Sequence, residues 1–150
     1  MKINLLLIAV FLSSLNTVNA QKLDIIPKPV KIEQQLGVFL IPSEVHIIVD
    51  KKIKNSTNYI RSEFLKNTGI IPKISIGKKH HKNGIQFLVD DKLSIPNDGY
   101  TLSIDKTGVI IKGKSPNGLR NGFQTLLQIC SAREVKKGTI PYVKIEDYPR

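Results

Sequence analysis

The chain has 150 residues, a formal net charge of +11 from 23 Lys and Arg against 12 Asp and Glu, one Cys and no Trp. The single cysteine, Cys130, excludes an internal disulfide, and no run approaches the roughly 20 apolar residues that a membrane-spanning helix needs. The basic balance suits an anionic partner; equally, it suits a soluble domain with dispersed lysines, and those from Lys22 to Lys144 follow no repeat period.

Met1-Lys2 supplies a positive charge, Leu5 to Leu12 is unbroken apolar sequence, and Val18-Asn19-Ala20 closes the polar stretch that follows. A charged start, a short apolar core and a small-x-small exit make residues 1–20 a signal peptide, cleaved between Ala20 and Gln21. The expectation is export, to the periplasm or the extracellular space. No Cys follows the cleavage site, so a lipid anchor is not expected. Loss of Lys2 takes the charge from +11 to +10. The remainder, 21–150, has the length of one domain.

Val30-Ile32 and Leu36 to Ile41 read as two short strands around a Gln34–Gly37 turn. Val45 to Val49 is a β-branched run and reads as a buried strand. From Lys52 to Asn67 the period changes: Ile53, Ile60, Phe64 and Leu65 fall at helical spacing, and Thr68-Gly69 offers a stop. Strands resume at Lys73–Ile76, Gly84–Val89, Gly99–Ile104 and Val109–Lys112. Ser115-Pro116 is an N-cap followed by a first-turn proline. Leu119, Phe123, Leu126, Leu127 and Cys130 then form one apolar stripe. A last strand spans Thr139–Val143. Short turns between successive strands predict an α+β fold: a mostly antiparallel sheet with both helices packed on one face.

The candidates for chemistry are few. His80-His81, in Lys78-Lys79-His80-His81-Lys82, lacks Cys, Asp or Glu at metal-ligand spacing and reads as a solvated hairpin loop. His46 lies within an apolar strand and reads as a satisfied core or edge histidine. Gly108-x-x-x-x-Gly113-Lys114-Ser115 fits the bare phosphate-loop pattern, but its interior, Val109-Ile110-Ile111-Lys112, favours strand over a flexible loop. Asp90-Asp91 reads as a turn. Glu146-Asp147 lies near the last residue, and neither pair is placed to flank a sugar in a cleft. No catalytic residue, cofactor-binding residue or metal ligand is assigned, and no cofactor is expected.

Several stretches, in order, resemble the N-terminal, non-catalytic domain of β-N-acetylhexosaminidases of glycoside hydrolase family 20. Ile25-Ile26-Pro27-Lys28-Pro29-Val30 is similar to that domain's I-P-x-P opening, and Glu33 to Phe39 to the G-x-F-x-L segment after it. Gly99 to Ile104 resembles its E-x-Y-x-L-x-I strand, with Asp98 in place of Glu. Val109 to Gly122 resembles I-x-A-x-x-x-x-G-x-x-x-G. Phe123-Gln124-Thr125-Leu126-Leu127-Gln128-Ile129 resembles x-Q-T-L-x-Q-L. Ile140-Pro141 with Ile145 to Arg150 resembles I-P-x-x-x-I-x-D-x-P-R, the junction with the catalytic domain.

The resemblance implies an accessory domain, 21–150, followed after Arg150 by a catalytic (β/α)8 barrel that binds the glycan substrate. In the family an Asp-Glu pair in the barrel acts with the substrate's own 2-acetamido group, a substrate-assisted route. None of those positions occurs here, so the resemblance transfers no catalytic residue and the chain alone is expected to be inactive. It also implies apolar surface near Ile140–Ile145 that the barrel would cover. A related fold precedes barrels in α-glucuronidases and O-GlcNAc hydrolases. The alternatives are a free-standing glycan- or protein-binding domain of this fold, and a basic nucleic-acid-binding module, which export disfavours; neither nucleic acid nor a membrane span is expected.

Overall fold

A computed structural model describes residues 23–79, 81–132 and 138–150; the expected signal peptide and His80 lie outside the described residues. Seven strands, β1 (Lys31–Leu40), β2 (His46–Val49), β3 (Lys73–Ile76), β4 (Gly84–Val89), β5 (Tyr100–Asp105), β6 (Gly108–Gly113) and β7 (Thr139–Asp147), form one sheet. Their order is β1-β7-β5-β6-β4-β2-β3. A 3-10 segment, Lys51–Ser56, leads into α1 (Thr57–Thr68), and α2 (Pro116–Ser131) links β6 to β7.

The α+β class and the two helices agree with the sequence expectation; the strand pairing is more mixed. β1–β7, β7–β5 and β5–β6 are antiparallel. β6–β4, β4–β2 and β2–β3 are parallel. Short links suggested hairpins, yet among the described residues only β5 and β6 are joined as one, through Asp105 to Gly108. The link from β3 to β4 runs between two strands parallel to β2 on either side of it, so it must cross β2. It crosses on the face away from the core: Gln86 Nε2 donates to the Lys78 carbonyl at 2.9 Å, while Ile85 and Phe87 face the core. The expected hairpin loop at Lys78–Lys82 is therefore a crossover.

The opening segment also differs. The two expected strands are one strand, β1, with a bulge between Gln34 and Val38 opposite Tyr142. Gly37 has φ +120°, and the Tyr142 ring occupies the space where its side chain would be. No turn forms because a glycine in this conformation can be absorbed as extra residues within a ladder.

Helix boundaries follow local chemistry. Asp50 is buried and caps the 3-10 segment, its Oδ1 accepting from Lys52 N–H at 2.9 Å. Gly69 ends α1 with φ +73°, a conformation that costs a side chain roughly 1 kcal/mol. Ser115 Oγ accepts from Gly118 N–H at 3.1 Å and caps α2. The apolar stripe of α2 meets Ile111, Leu102, Ile145 and Phe87 in one core. Phe123 packs edge-on against Phe87, with ring centroids 5.4 Å apart. Tyr59 of α1 meets the same Phe123 ring at 6.2 Å, which places both helices on one face of the sheet. Ile140, Val143 and Ile145 are themselves buried, and the exposed apolar surface near the last strand is carried by Leu36, Val38 and Leu40 of β1, the strand paired with β7.

Two glycines set how closely α2 approaches the sheet. A Cβ on Gly122 would lie 2.6 Å from Ile111 Cγ2 and 2.9 Å from Tyr100 Cδ2. A Cβ on Gly118 would penetrate the Gly99 carbonyl oxygen. Ala in place of Gly favours a helix by about 1 kcal/mol, but overpacking costs about 1–3 kcal/mol. At Gly118 the obstacle is backbone, which cannot turn aside. Gly118→Ala should therefore destabilise the chain by about 2 kcal/mol net. A urea titration checks this: the midpoint should fall with an unchanged slope, whereas a raised midpoint would mean that helix propensity wins.

Candidate functional site

β7 runs parallel to β6, and β1 runs opposite to β7. The segment entering β1 and the segment leaving β7 consequently lie at the same end of the sheet, with Lys31 paired to Glu146. α2 begins at that end too, after β6. Three parts of the sequence thus meet: a strap before β1, the outer flank of α2, and the exit Asp147–Arg150.

Hydrogen bonds lock them together. Ile26 N–H donates to Gln128 Oε1 at 3.0 Å, and Gln128 Nε2 donates to the Ile26 carbonyl at 2.9 Å. Val30 N–H donates to Asp147 Oδ1 at 3.2 Å. Arg150 Nη2 donates to the Lys28 carbonyl at 2.9 Å. Ile25 is buried in the core and anchors the strap from below. The strap is thereby fixed by one helix side chain and by two residues of the exit.

Between these parts lies a groove of about 410 Å³ lined by Ile26, Asp98, Asn121, Gln124, Gln128 and Tyr148 among others. Its floor is the buried pair Tyr100 Oη and Thr125 Oγ1, 2.6 Å apart. Burial pushes the Tyr100 hydroxyl up to about 12; the Thr125 hydrogen bond acts the other way, and the charge of Asp147 adds to the rise. Asn121 Nδ2 donates to the Asp98 carbonyl at 3.0 Å, and Ser115 Oγ donates to the Asp98 carboxylate at 3.2 Å. Across α2, a second groove of about 190 Å³ runs between the helices, lined by Tyr59, Phe87, Pro116, Arg120 and Phe123. Gln124 Nε2 bridges to Tyr59 Oη at 2.6 Å. The outer ridge of α2 is therefore flanked by a polar groove on one side and an aromatic one on the other. Amides and backbone carbonyls of this kind suit non-covalent recognition.

The residues weighed from sequence are dispersed. In the phosphate-loop-like stretch, Val109 to Lys112 is strand β6 paired in register with β4 and β5. Its Lys114 Nζ donates to the Ile95 carbonyl at 3.2 Å, and Ser115 is spent as a cap. Asp90 Oδ1 accepts from Lys92 N–H in a turn. Asp147 holds the strap. His46 is on an interior strand between β3 and β4, and its ring stacks on His81 at 4.5 Å. Burial pushes the Cys130 thiol up to about 12, away from the reactive thiolate. Among the described residues, no three His, Cys, Asp or Glu side chains are grouped as a metal site, and no helix is long and apolar enough to cross a membrane. Sequence reasoning missed the roles of Gln128 and Asp147. The i, i+4 spacing of Gln124 and Gln128, two amides on one flank of an apolar helix, was the available signal.

Comparison with known proteins locates this architecture. The family described as glycosyl hydrolase family 20, domain 2, matches residues 22–148. A beta-hexosaminidase of Porphyromonas gingivalis is 32% identical over 135 residues, a stretch that covers 85% of this chain and 17% of that protein. The GH20 beta-N-acetylhexosaminidase of Streptomyces coelicolor A3(2) is similar in structure with a TM-score of 0.67 at 27% identity, over 84% of this chain and 26% of that one. The N-acetyl-beta-hexosaminidase of Streptomyces plicatus gives a TM-score of 0.71 at 24% identity over the same shares, a likeness of fold. The chain thus spans about a sixth to a quarter of the length of these relatives.

The strap should behave as one unit. Gln128→Ala should speed amide exchange at Ile26 by about tenfold or more while leaving the β5 and β6 amides unchanged, because opening is local; exchange followed by NMR reads both. Tyr100 gives a pH signature. Its folded value is raised, so the unfolded chain loses the proton first, near the ordinary tyrosine value of 10. Stability should be full below that pH and fall as pH rises towards about 12. Tyr100→Phe should flatten that part of a stability-versus-pH curve.

Proposed function

From the premise that this chain belongs to the glycosyl hydrolase family 20, domain 2, family, we propose that it is the accessory domain of an exported β-N-acetylhexosaminidase. In this reading residues 21–150 carry a catalytic (β/α)8 barrel that continues beyond Arg150. The barrel removes terminal N-acetylhexosamine from glycans by the substrate-assisted route, and this domain supplies no catalytic group. Export rests on the sequence pattern of residues 1–20.

The observation that supports this reading best is the meeting of strap, α2 and exit at one groove. The last residues, Tyr148-Pro149-Arg150, line that groove together with Asn121, Gln124 and Gln128. A domain that follows Arg150 therefore starts beside the outer ridge of α2. It can use the polar groove on one side and the aromatic groove on the other without disturbing the core. The ridge has the mixed character of interdomain surfaces, which are more polar than obligate interfaces.

The test uses protein from the source organism. Antibodies against 21–150 should capture a species well above the size of the 150-residue chain, and activity on an aryl N-acetylglucosaminide should come down with it. The recombinant 150-residue chain should show no turnover above buffer. Capture of a species of this chain's own size, without activity, would contradict the proposal and favour a free-standing binding domain.

A further inference from the structure

We infer that the β3–β4 crossover, with the adjoining β5–β6 turn, is a contact surface for an anionic polysaccharide on the sheet face opposite the helices. The segment Gly77 to Asn83 contains three lysines and no carboxylate. Lys78, Lys79, His81 and Lys82 are exposed. The backbone beneath them is nonetheless fixed at several points. Gln86 Nε2 donates to the Lys78 carbonyl at 2.9 Å. Gly84 N–H donates to the His81 carbonyl at 3.0 Å, and Asn83 N–H donates to the Thr107 carbonyl at 2.8 Å. The His81 ring stacks on His46 at 4.5 Å with planes 17° apart. The bond from Asn83 to Thr107 also brings the turn that carries Lys106 against the crossover.

Glu44 is paired to Lys73 at 2.6 Å. Asp105, next to Lys106 in the β5–β6 turn, keeps its negative charge while its carboxylate accepts from the N–H and the hydroxyl of Thr107 at 2.7 and 2.5 Å, so the crossover lysines carry the net charge of this surface. Among the described residues, Lys78, Lys79, Lys82 and Lys106 take part in no ion pair. A freely moving lysine loop would spread its charges through water. A tethered one keeps like charges close together, and a polymer with repeating negative groups relieves that repulsion.

The chemistry of the partner follows from what the crossover lacks. No Phe, Tyr or Trp occurs from Gly77 to Asn83, and the His81 ring is already stacked on His46, so bases find little stacking platform there. No large apolar side chain occurs there either, so nothing inserts into a lipid surface. Sulfates or carboxylates along a polysaccharide need only charge and reach. The choice of a polysaccharide rests on the proposed role in an exported glycosidase. Because the crossover and α2 lie on opposite faces, a polymer bound there leaves the grooves beside α2 open and keeps its chain ends close to the enzyme.

Calorimetry of residues 21–150 tests this, using a size-defined sulfated heparin octasaccharide. Docking plays no part in that experiment, so its outcome is separate from that of the proposed function. Affinity should fall by about tenfold or more between about 50 and 300 mM NaCl, as screening shortens the reach of the charges. The variant Lys78→Gln/Lys79→Gln/Lys82→Gln should lose about tenfold or more at low salt. A control with equal charge loss, Lys51→Gln/Lys52→Gln/Lys54→Gln, should lose less than about threefold. Circular dichroism establishes that both variants are folded. Equal losses in the two variants, no binding at low salt, or tighter binding to duplex DNA or anionic phospholipid vesicles would overturn the inference.

Discussion

The structure depends on how closely α2 can approach the sheet. Gly118 lies over the Gly99 carbonyl and Gly122 over the Tyr100 ring and Ile111. Gly113, at the end of β6, makes room for the Leu119 amide. With side chains at these positions the helix would stand further off. Leu119, Phe123 and Leu126 would then lose contacts with β5 and β6, and burial of each such side chain contributes roughly 1.5–3 kcal/mol. The close approach also brings Thr125 within hydrogen-bonding distance of Tyr100. It therefore fixes the floor of the groove as well as the core, and the resemblance to I-x-A-x-x-x-x-G-x-x-x-G has a steric meaning.

Sheet topology supplies the second constraint. Strands β2, β4, β6 and β7 end on the same side, so the starts of the 3-10 segment and of α2, the strap and the exit all collect there. The domain has the features of a mount: a rigid helix ridge, a groove on each side, and an exit residue tied to the strap through Arg150 and Lys28. The opposite face is built differently. There the β3–β4 crossover covers Ile48 and Gln86, both buried, and its lysines point the domain's charge away from the helices. The two faces thus differ in character: one carries grooves beside a helix ridge, the other a run of exposed lysines.

Much of this was legible in the sequence because local chemistry decides it. Ser115-Pro116, Gly69 and the stripe from Leu119 to Leu127 place the helices, and β-branched alternation places the strands. What was not legible depends on partners far apart in the chain. Parallel pairing of β4 with β2 and β6 leaves no mark on β4 itself, and the Gly77–Asn83 link has the length of a hairpin loop. The bulge at Gly37 requires knowledge that Tyr142 faces it. The sequence showed Gln128 and Asp147 only as polar residues; their task, holding a strap more than a hundred residues away, appears only when the chain closes. The basic run from Lys78 to Lys82 was legible in the sequence, but not that its backbone is tied across the back of the sheet.

The central claim is that the outer ridge of α2 is a docking surface rather than a solvent face. It is tested most directly by comparing hydrogen–deuterium exchange of the isolated 150-residue chain with that of the protein purified from its source organism. The account predicts strong added protection in the latter for Asn117 to Gln128 and for the strap, with the crossover at Lys78 to Lys82 unchanged. Equal exchange of α2 in both preparations would contradict it.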